Sequence, residues 1–258
     1  MINDIVVSRA IATRFFEKFD AALELDAAIV GAGPAGLVAG RYLAEAGLRV
    51  ALFESKLSIG GGIWGGGMMF NEIVVQNDAL EILDDFGIEH RDYGNGYHTA
   101  DAVQTASALA YHASRKGLTV LNGVRVEDVL FSEDRVGGVV ALWSAVLSAG
   151  LHVDPLSFQS KVVIDATGHD ADVTRTTVRK AGINLRTSTG EVLGERCMWA
   201  EKGERSVVEN TGEIYPGLYV AGMAAAAVHG SCRMGPIFGG MLLSGRKVAR
   251  EIIDKIGA

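Results

Sequence analysis

Residues 26–55, DAAIVGAGPAGLVAGRYLAEAGLRVALFES, constrain this chain more than any other stretch. A short apolar run ends in glycines, a helix-spaced run follows with Pro34 near its start, and a second apolar run closes the unit. Proline suits the first turn of a helix, where its missing N–H leaves no bond unmade. The pattern is that of a βαβ unit, with Gly31, Gly33 and Gly36 standing in its first turn as G-x-G-x-x-G. Glycines there permit a tight turn and let backbone N–H groups approach a pyrophosphate, whose charge the helix N-terminus favours. Glu54 follows Gly36 by 18 residues, at the end of the second strand, where a carboxylate holds ribose hydroxyls and disfavours a 2′-phosphate. The unit predicts an α/β, Rossmann-like fold and an adenine dinucleotide. It leaves open FAD, NAD as cosubstrate and NAD as substrate.

A chain of 258 residues, 48% of them apolar, can build one elaborated dinucleotide-binding domain over residues 1–258. Ahead of the unit, residues 1–25 space Ile11, Phe15 and Phe19 as in a helix, which predicts an arm packed on the body or on a neighbouring subunit. Further helices are expected in NDALEILDDFG, ADAVQTASALAYHASRKG, HDADVTRTTVRKAG and GMLLSGRKVAREIIDKIG. Residues 118–146 alternate in a β manner around the turn signals Asn122-Gly123 and Ser132-Glu133-Asp134, predicting an antiparallel β layer added to the parallel sheet. KVVIDATG and GLYVAGM read as further buried strands. Lys plus Arg number 24 against 31 Asp plus Glu, with no basic stripe, which sets nucleic acid aside as a partner. No apolar run reaches the roughly 20 residues of a membrane span, and the N-terminus lacks the order of a signal peptide. Two cysteines, Cys197 and Cys232, cannot form a disulfide framework. A cytoplasmic protein with no membrane partner is expected.

Three other stretches carry chemistry. In GGGIWGGGMMF, residues 60–70, six glycines suit a backbone that comes close to a ligand, and Trp64, Met68, Met69 and Phe70 would be costly to leave on a free loop. GLYVAGM ends in Gly222-Met223, where flavoproteins of the glutathione-reductase type carry Gly-Asp. A thioether cannot accept hydrogen bonds from a polyol as a carboxylate does, which weakens the FAD reading. LHVDPLSFQSKVVIDATGHD, residues 151–170, brings His152, Asp154, His169 and Asp170 into one stretch. Metal ligands, acid/base groups and ordinary turn residues would all look like this. His229 and Cys232, at i and i+3, are a rival pair that would point to zinc, though nothing nearby completes a zinc set. Arg233, in SCRMGP, has small and apolar sequence neighbours and calls for an anionic partner, either a ligand carboxylate gripped by its planar fork or an internal Asp or Glu. Met223, Met234 and Met241 are expected to line the same pocket or to fill core.

Taken together, GAGPAG, FES, GGGIWGGG, HVDP, DATGHD, GLYVAGM and the long HGSCRMGPIFGGMLLSG resemble the thiamine thiazole synthase family, over nearly the whole chain. The resemblance implies a flavoprotein-like fold that uses NAD as a substrate. NAD loses nicotinamide, the freed ADP-ribose isomerises to a ketone, glycine condenses with it as an imine, and sulfur enters to give an adenylated thiazole carboxylate. Family members that donate their own sulfur carry a cysteine where this chain has His152, so the chain resembles the branch that takes free sulfide and turns over repeatedly. That branch implies His152, Asp154 and His169 as catalytic residues, with Fe(II) on Asp154 and His169, fifteen residues apart. It further implies that Asp154 comes from an adjacent subunit of a homo-octamer, and that Arg233 takes the carboxylate of glycine. Gly31, Gly33, Ala35, Gly36, Glu54 and Ser55, together with Gly62 and Val126, would hold the ADP-ribose part of NAD. His152 and Met223 would lie beside the reacting carbons, and Val153 and Asp154 would bind the dinucleotide with them. The rival readings are an FAD-dependent oxidoreductase of the same fold and a non-catalytic NAD-binding protein.

Overall fold

The computed structural model describes residues 1–115 and 117–257. The first apolar run forms β1, Glu24–Val30, in which every residue after Glu24 is buried, as befits a strand covered on both faces. The glycine turn leads into α2, Pro34–Glu45, with Pro34 in its first turn, and β2, Val50–Glu54, returns parallel to β1 with Ala27 opposite Val50. On the far side of β1 lies β9, Leu156–Asp165, also parallel, with Val30 opposite Asp165. The sheet is extended by β6, Thr119–Asn122, beside β2, and by β11, Leu218–Val220, and β10, Gly212–Tyr215, beyond β9. Its order is β10-β11-β9-β1-β2-β6, with β10 the antiparallel edge. The carboxyl ends of β1, β2, β9 and β11 therefore share one edge, where open α/β sheets bind ligands.

Two apolar layers sandwich the sheet. Alternation along β1 sends Ala27 and Ile29 into one, and Ala28 and Val30 into the other. The first layer is closed by α2, by α4 (Ala102–Arg115) and by α9 (Gly239–Ile256). Gly245 of α9 sits so near Ala35 O that a Cβ there would come closer than any real Cβ does, so glycine permits α2 and α9 to cross at backbone distance. The second layer is covered by β7, Val124–Ser132, and β8, Arg135–Trp143, and by α6, Asp172–Ala181, and α8, Met223–His229.

The antiparallel layer differs in extent from the expected residues 118–146. Its first strand, β6, belongs to the parallel sheet, and Asn122-Gly123 makes a corner, with Gly123 N donating to Lys56 O at 3.0 Å, rather than a hairpin. The hairpin is β7–β8, closed at Glu133 and Asp134, both with positive φ, the mirror-image turn that strand twist favours. The layer continues through β8 onto the first half of β9, which therefore begins five residues before KVVIDATG. A small antiparallel sheet of β3 (Glu72–Gln76), β5 (Tyr97–Asp101) and β4 (Arg91–Gly94), and the helix α7 (Ala200–Glu209), have no counterpart in the sequence reading. The arm is α1, Asp4–Ala21, capped by Asn3, whose side-chain oxygen accepts from Ile5 N and Val6 N. It has no buried residue and touches the body through Phe15 against Trp143 and Phe19 against Phe158. Among the described residues no helix is long and apolar enough to cross a membrane.

Candidate active site at the carboxyl edge of the sheet

The three glycines of the turn have different reasons to be glycine. Gly31 has φ of +103°, and a Cβ on it would collide with Ala166 O; one on Gly36 would collide with Gly31 O. Both collisions are with backbone, which cannot step aside. At Gly33 a Cβ would meet nothing within 4 Å, so this is the glycine whose bareness opens space outside the fold. Glu54 is buried and straps the turn to β2. Its Oε2 accepts from Ala32 N at 3.0 Å, and its Oε1 accepts from Lys56 N at 2.8 Å and Ser55 Oγ at 3.2 Å. The 60–70 loop crosses above, with Gly60 N donating to Ala32 O at 2.7 Å and Gly61 packed against Gly33. Gly62 lies open in that loop, and Gly222 abuts Ala35 as α8 begins with the buried Met223. Gly31, Gly33, Ala35, Gly36, Glu54, Ser55, Gly62 and Met223 are thus gathered at one edge. Val126 lies on β7, opposite Ala141, packed against the apolar layer that includes Val30 and Phe53, and lines a cleft with Asp172, Arg175 and Arg179 of α6.

Asp165, the last residue of β9, is wholly buried and accepts from Thr167 N and Oγ1 and from Thr174 N and Oγ1, at 2.6–3.1 Å. Burial pushes its pKa up, and the four hydrogen bonds oppose that rise. The bonds tie the Thr167–Ala171 turn to α6 and so place His169. The His169 ring is half-exposed, and its Nδ1 lies 2.7 and 2.9 Å from the two oxygens of Glu195. Arg233 Nε approaches Glu195 Oε2 at 3.8 Å. Of the two anionic partners expected for it, the internal one is present as Glu195, while the side chain is 59% exposed and faces solvent.

His152, Val153 and Asp154 lie in the exposed segment ahead of β9. His169 follows β9 at the other end, and a ten-residue strand rising ~3.3 Å per residue puts about 30 Å between its ends. Within one chain, Asp154 and His169 do not meet. The rival His229–Cys232 pair gains nothing either: burial alone holds the His229 pKa down, and no group of three or more His, Cys, Asp or Glu able to hold a metal exists among the described residues. Met223 and Met234 pack with Val207, Ala226 and Ile237, and Met241 closes on that cluster, so these methionines are core beside the site. Trp64, Met68, Met69 and Phe70, expected to be covered, are exposed, and Met68 and Met69 adopt positive φ. The sequence reading missed Asp165, Glu195 and Glu204. Only Asp165, at the end of an apolar run, carried a legible signal.

Fold and turn together define a Rossmann-like α/β protein of the dinucleotide-binding class. Within that class, residues 8–238 match the Thi4 family, and the chain belongs to it. It is 55% identical to the thiamine thiazole synthase of Methanothermobacter thermautotrophicus, over 99% of each chain. It is 54% identical to that of Pyrococcus furiosus, over 100% of each. The crystal structure of THI4 from Thermovibrio ammonificans superposes with a TM-score of 0.98 at 54% identity, covering 99% of both chains.

Proposed function

We propose that this protein is a thiamine thiazole synthase of thiamine biosynthesis that makes ADP-thiazole carboxylate from NAD, glycine and free sulfide, with Fe(II), in repeated turnovers in the cytoplasm. The observation that supports this reading most is the state of His169. With Nδ1 turned to Glu195, a neutral ring carries its proton there and leaves its lone pair on Nε2, the usual posture of a metal-binding histidine. An imidazole nitrogen and the Asp154 carboxylate suit Fe(II) or Mn(II). When bound, the metal supplies a Lewis acid and a template for the glycine-derived substrate.

The rest of the work falls to the chain. Gly33 and the N-terminus of α2 receive the pyrophosphate, and Glu54 stands at the ribose. Arg233 offers its fork to the glycine carboxylate, since two parallel N–H···O bonds fix orientation as well as charge. His152 puts an imidazole where sulfur-donating relatives carry cysteine, and imidazole has no sulfur to give. Because β9 separates Asp154 from His169, the donor set is completed by another copy of the chain, as in a homo-octamer with shared sites. Gly222-Met223 offers no carboxylate to a flavin's ribityl chain, which favours NAD over FAD.

The test is anaerobic turnover with NAD, glycine, sulfide and Fe(II). Several products per subunit are expected, none without sulfide, and the protein mass should be unchanged afterwards. One product per subunit, with loss of the mass of hydrogen sulfide and dehydroalanine at Cys232, would replace free sulfide by a protein donor. A yellow protein with flavin absorbance would favour the oxidoreductase reading.

A further inference from the structure

Glu195 belongs to none of the motifs, yet among the described residues it is the carboxylate that meets both His169 and Arg233. Its side chain is 14% exposed, against 52% for His169 and 59% for Arg233, so an interior anion lies beneath two groups that face outward. The backbone around it is pinned on both sides. Gly194 N donates to Ala227 O at 2.8 Å, Arg196 N to Ser231 O at 2.9 Å, and Arg233 N returns a bond to Arg196 O at 3.3 Å. The carboxylate is thereby held at a fixed height beside residues 227–233.

The contacts dictate what each partner presents. An imidazole nitrogen that faces two carboxylate oxygens must carry its proton, and in the neutral ring the lone pair is then on Nε2. The guanidinium is approached at Nε. Its Nη1 and Nη2 have no partner among the described residues, so the edge that can grip a carboxylate with two bonds is left free. Resting on the function proposed above, we infer that Glu195 is the positioning residue of this site: one carboxylate turns the His169 ring so that Nε2 faces the metal position and turns Arg233 so that its fork faces the glycine position. Glu195 is not itself a third ligand. Both of its oxygens are engaged by His169.

The experiment uses the intact assembly without oxygen and Fe(II) alone as probe, with Co(II) absorption reporting ligand geometry. Glu195→Ala should weaken Fe(II) binding about 10- to 100-fold, the usual effect of removing a histidine's carboxylate partner, and should alter the Co(II) spectrum. It should also raise the KM for glycine about tenfold, as Arg233 loses its anchor. Glu195→Gln keeps an oxygen to accept the Nδ1 proton but has no charge for Arg233, so metal affinity should recover and the glycine KM should not. NAD affinity and Tm should stay at wild-type values in both. If both variants bind Fe(II) as wild type while His169→Ala does not, the role of Glu195 is wrong and the metal site stands. If His169→Ala also binds normally, the metal site falls and this role with it. Loss of NAD affinity and Tm alongside metal affinity would make Glu195 merely structural and overturn the inference.

Discussion

The glycine turn and the segment carrying His152–Asp154, assigned to one reaction in the proposed function, are built in opposite ways. Around Gly31–Gly36 everything is present in one chain: backbone against backbone at Gly31 and Gly36, Glu54 strapping the turn, the 60–70 loop laid across it. The reacting end is dispersed, with Asp154 at one end of β9, His169 at the other, and Arg233 half in solvent. On the proposed function, dinucleotide binding would thus be a property of the folded chain, whereas chemistry would be a property of the assembly. The exposed apolar groups agree with this division. Ile5, Val6, Ile11 and Phe16 of α1, and Leu151 and Val153 beside Asp154, lie on the surface of the single chain.

The largest effect should come from separating the two halves of the proposed metal site. Asp154→Ala and His169→Ala should each reduce turnover to background while NAD binding stays. Mixing the two inactive proteins under conditions that exchange subunits should restore activity, to about one quarter of wild type for random 1:1 assembly with two-chain sites. Mixed assemblies that stay inactive would break the comparison, placing both residues in one chain's site.

The turn can be dissected in the same spirit. Gly36→Ala drives a Cβ into Gly31 O and should destabilise the fold by about 3 kcal/mol or more, read as a lower Tm in thermal unfolding. Gly33→Ala meets nothing, has φ of −75°, and should leave Tm nearly unchanged while weakening NAD binding in calorimetry. Equal losses of stability in both would mean that Gly33 serves packing, not the pyrophosphate.

This contrast also explains what the sequence could tell. The βαβ unit was legible because its strand, turn and helix signals are adjacent and agree, and the structure keeps each of them. The three-stranded sheet was not, since RDYG and YHTAD are short, mostly uncovered strands without clean alternation. α7 was hidden by Gly203 in its middle, a helix-weakening residue that is there because a Cβ would strike the backbone of Cys232 and Arg233. Fifteen residues between Asp154 and His169 look like proximity in a one-dimensional reading. Drawn out as a strand, the same interval becomes separation. Glu195 lies in a polar stretch with no periodicity, and its meaning exists only after folding brings His169 and Arg233 to it.

A third prediction concerns the scaffold behind Arg233. Glu204 of α7 is buried, accepts from Gly240 N at the start of α9, and its Oε2 has no hydrogen-bond partner among the described residues. Burial pushes its pKa up to about 7. Between the unfolded chain's value and about 7, the folded protein keeps a proton that the unfolded chain has released. Stability therefore falls as pH rises through that window, by an amount on the order of 3 kcal/mol that is fully lost above it. Glu204→Gln keeps an acceptor for Gly240 N and removes the charge, so its Tm should exceed wild type at pH 8 and match it near pH 4. Parallel Tm curves for the two proteins would show that the buried carboxyl carries no such load.

The smallest effect should follow from Arg233→Lys, which keeps the positive charge and removes the planar fork. A lysine can meet a carboxylate at one point only, so glycine use should weaken by about 1.5–3 kcal/mol, the scale of a hydrogen bond to a charged group. In steady-state kinetics that is a rise of roughly 10- to 150-fold in the glycine KM. NAD affinity should barely change, because Arg233 reaches the site from the dispersed side, next to Glu195, and takes no part in the turn that Glu54 straps. Both readouts matter. An unaltered glycine KM with collapsed NAD binding would assign Arg233 to the pyrophosphate, and the division between a preassembled dinucleotide half and an assembly-dependent reacting half would have to be redrawn.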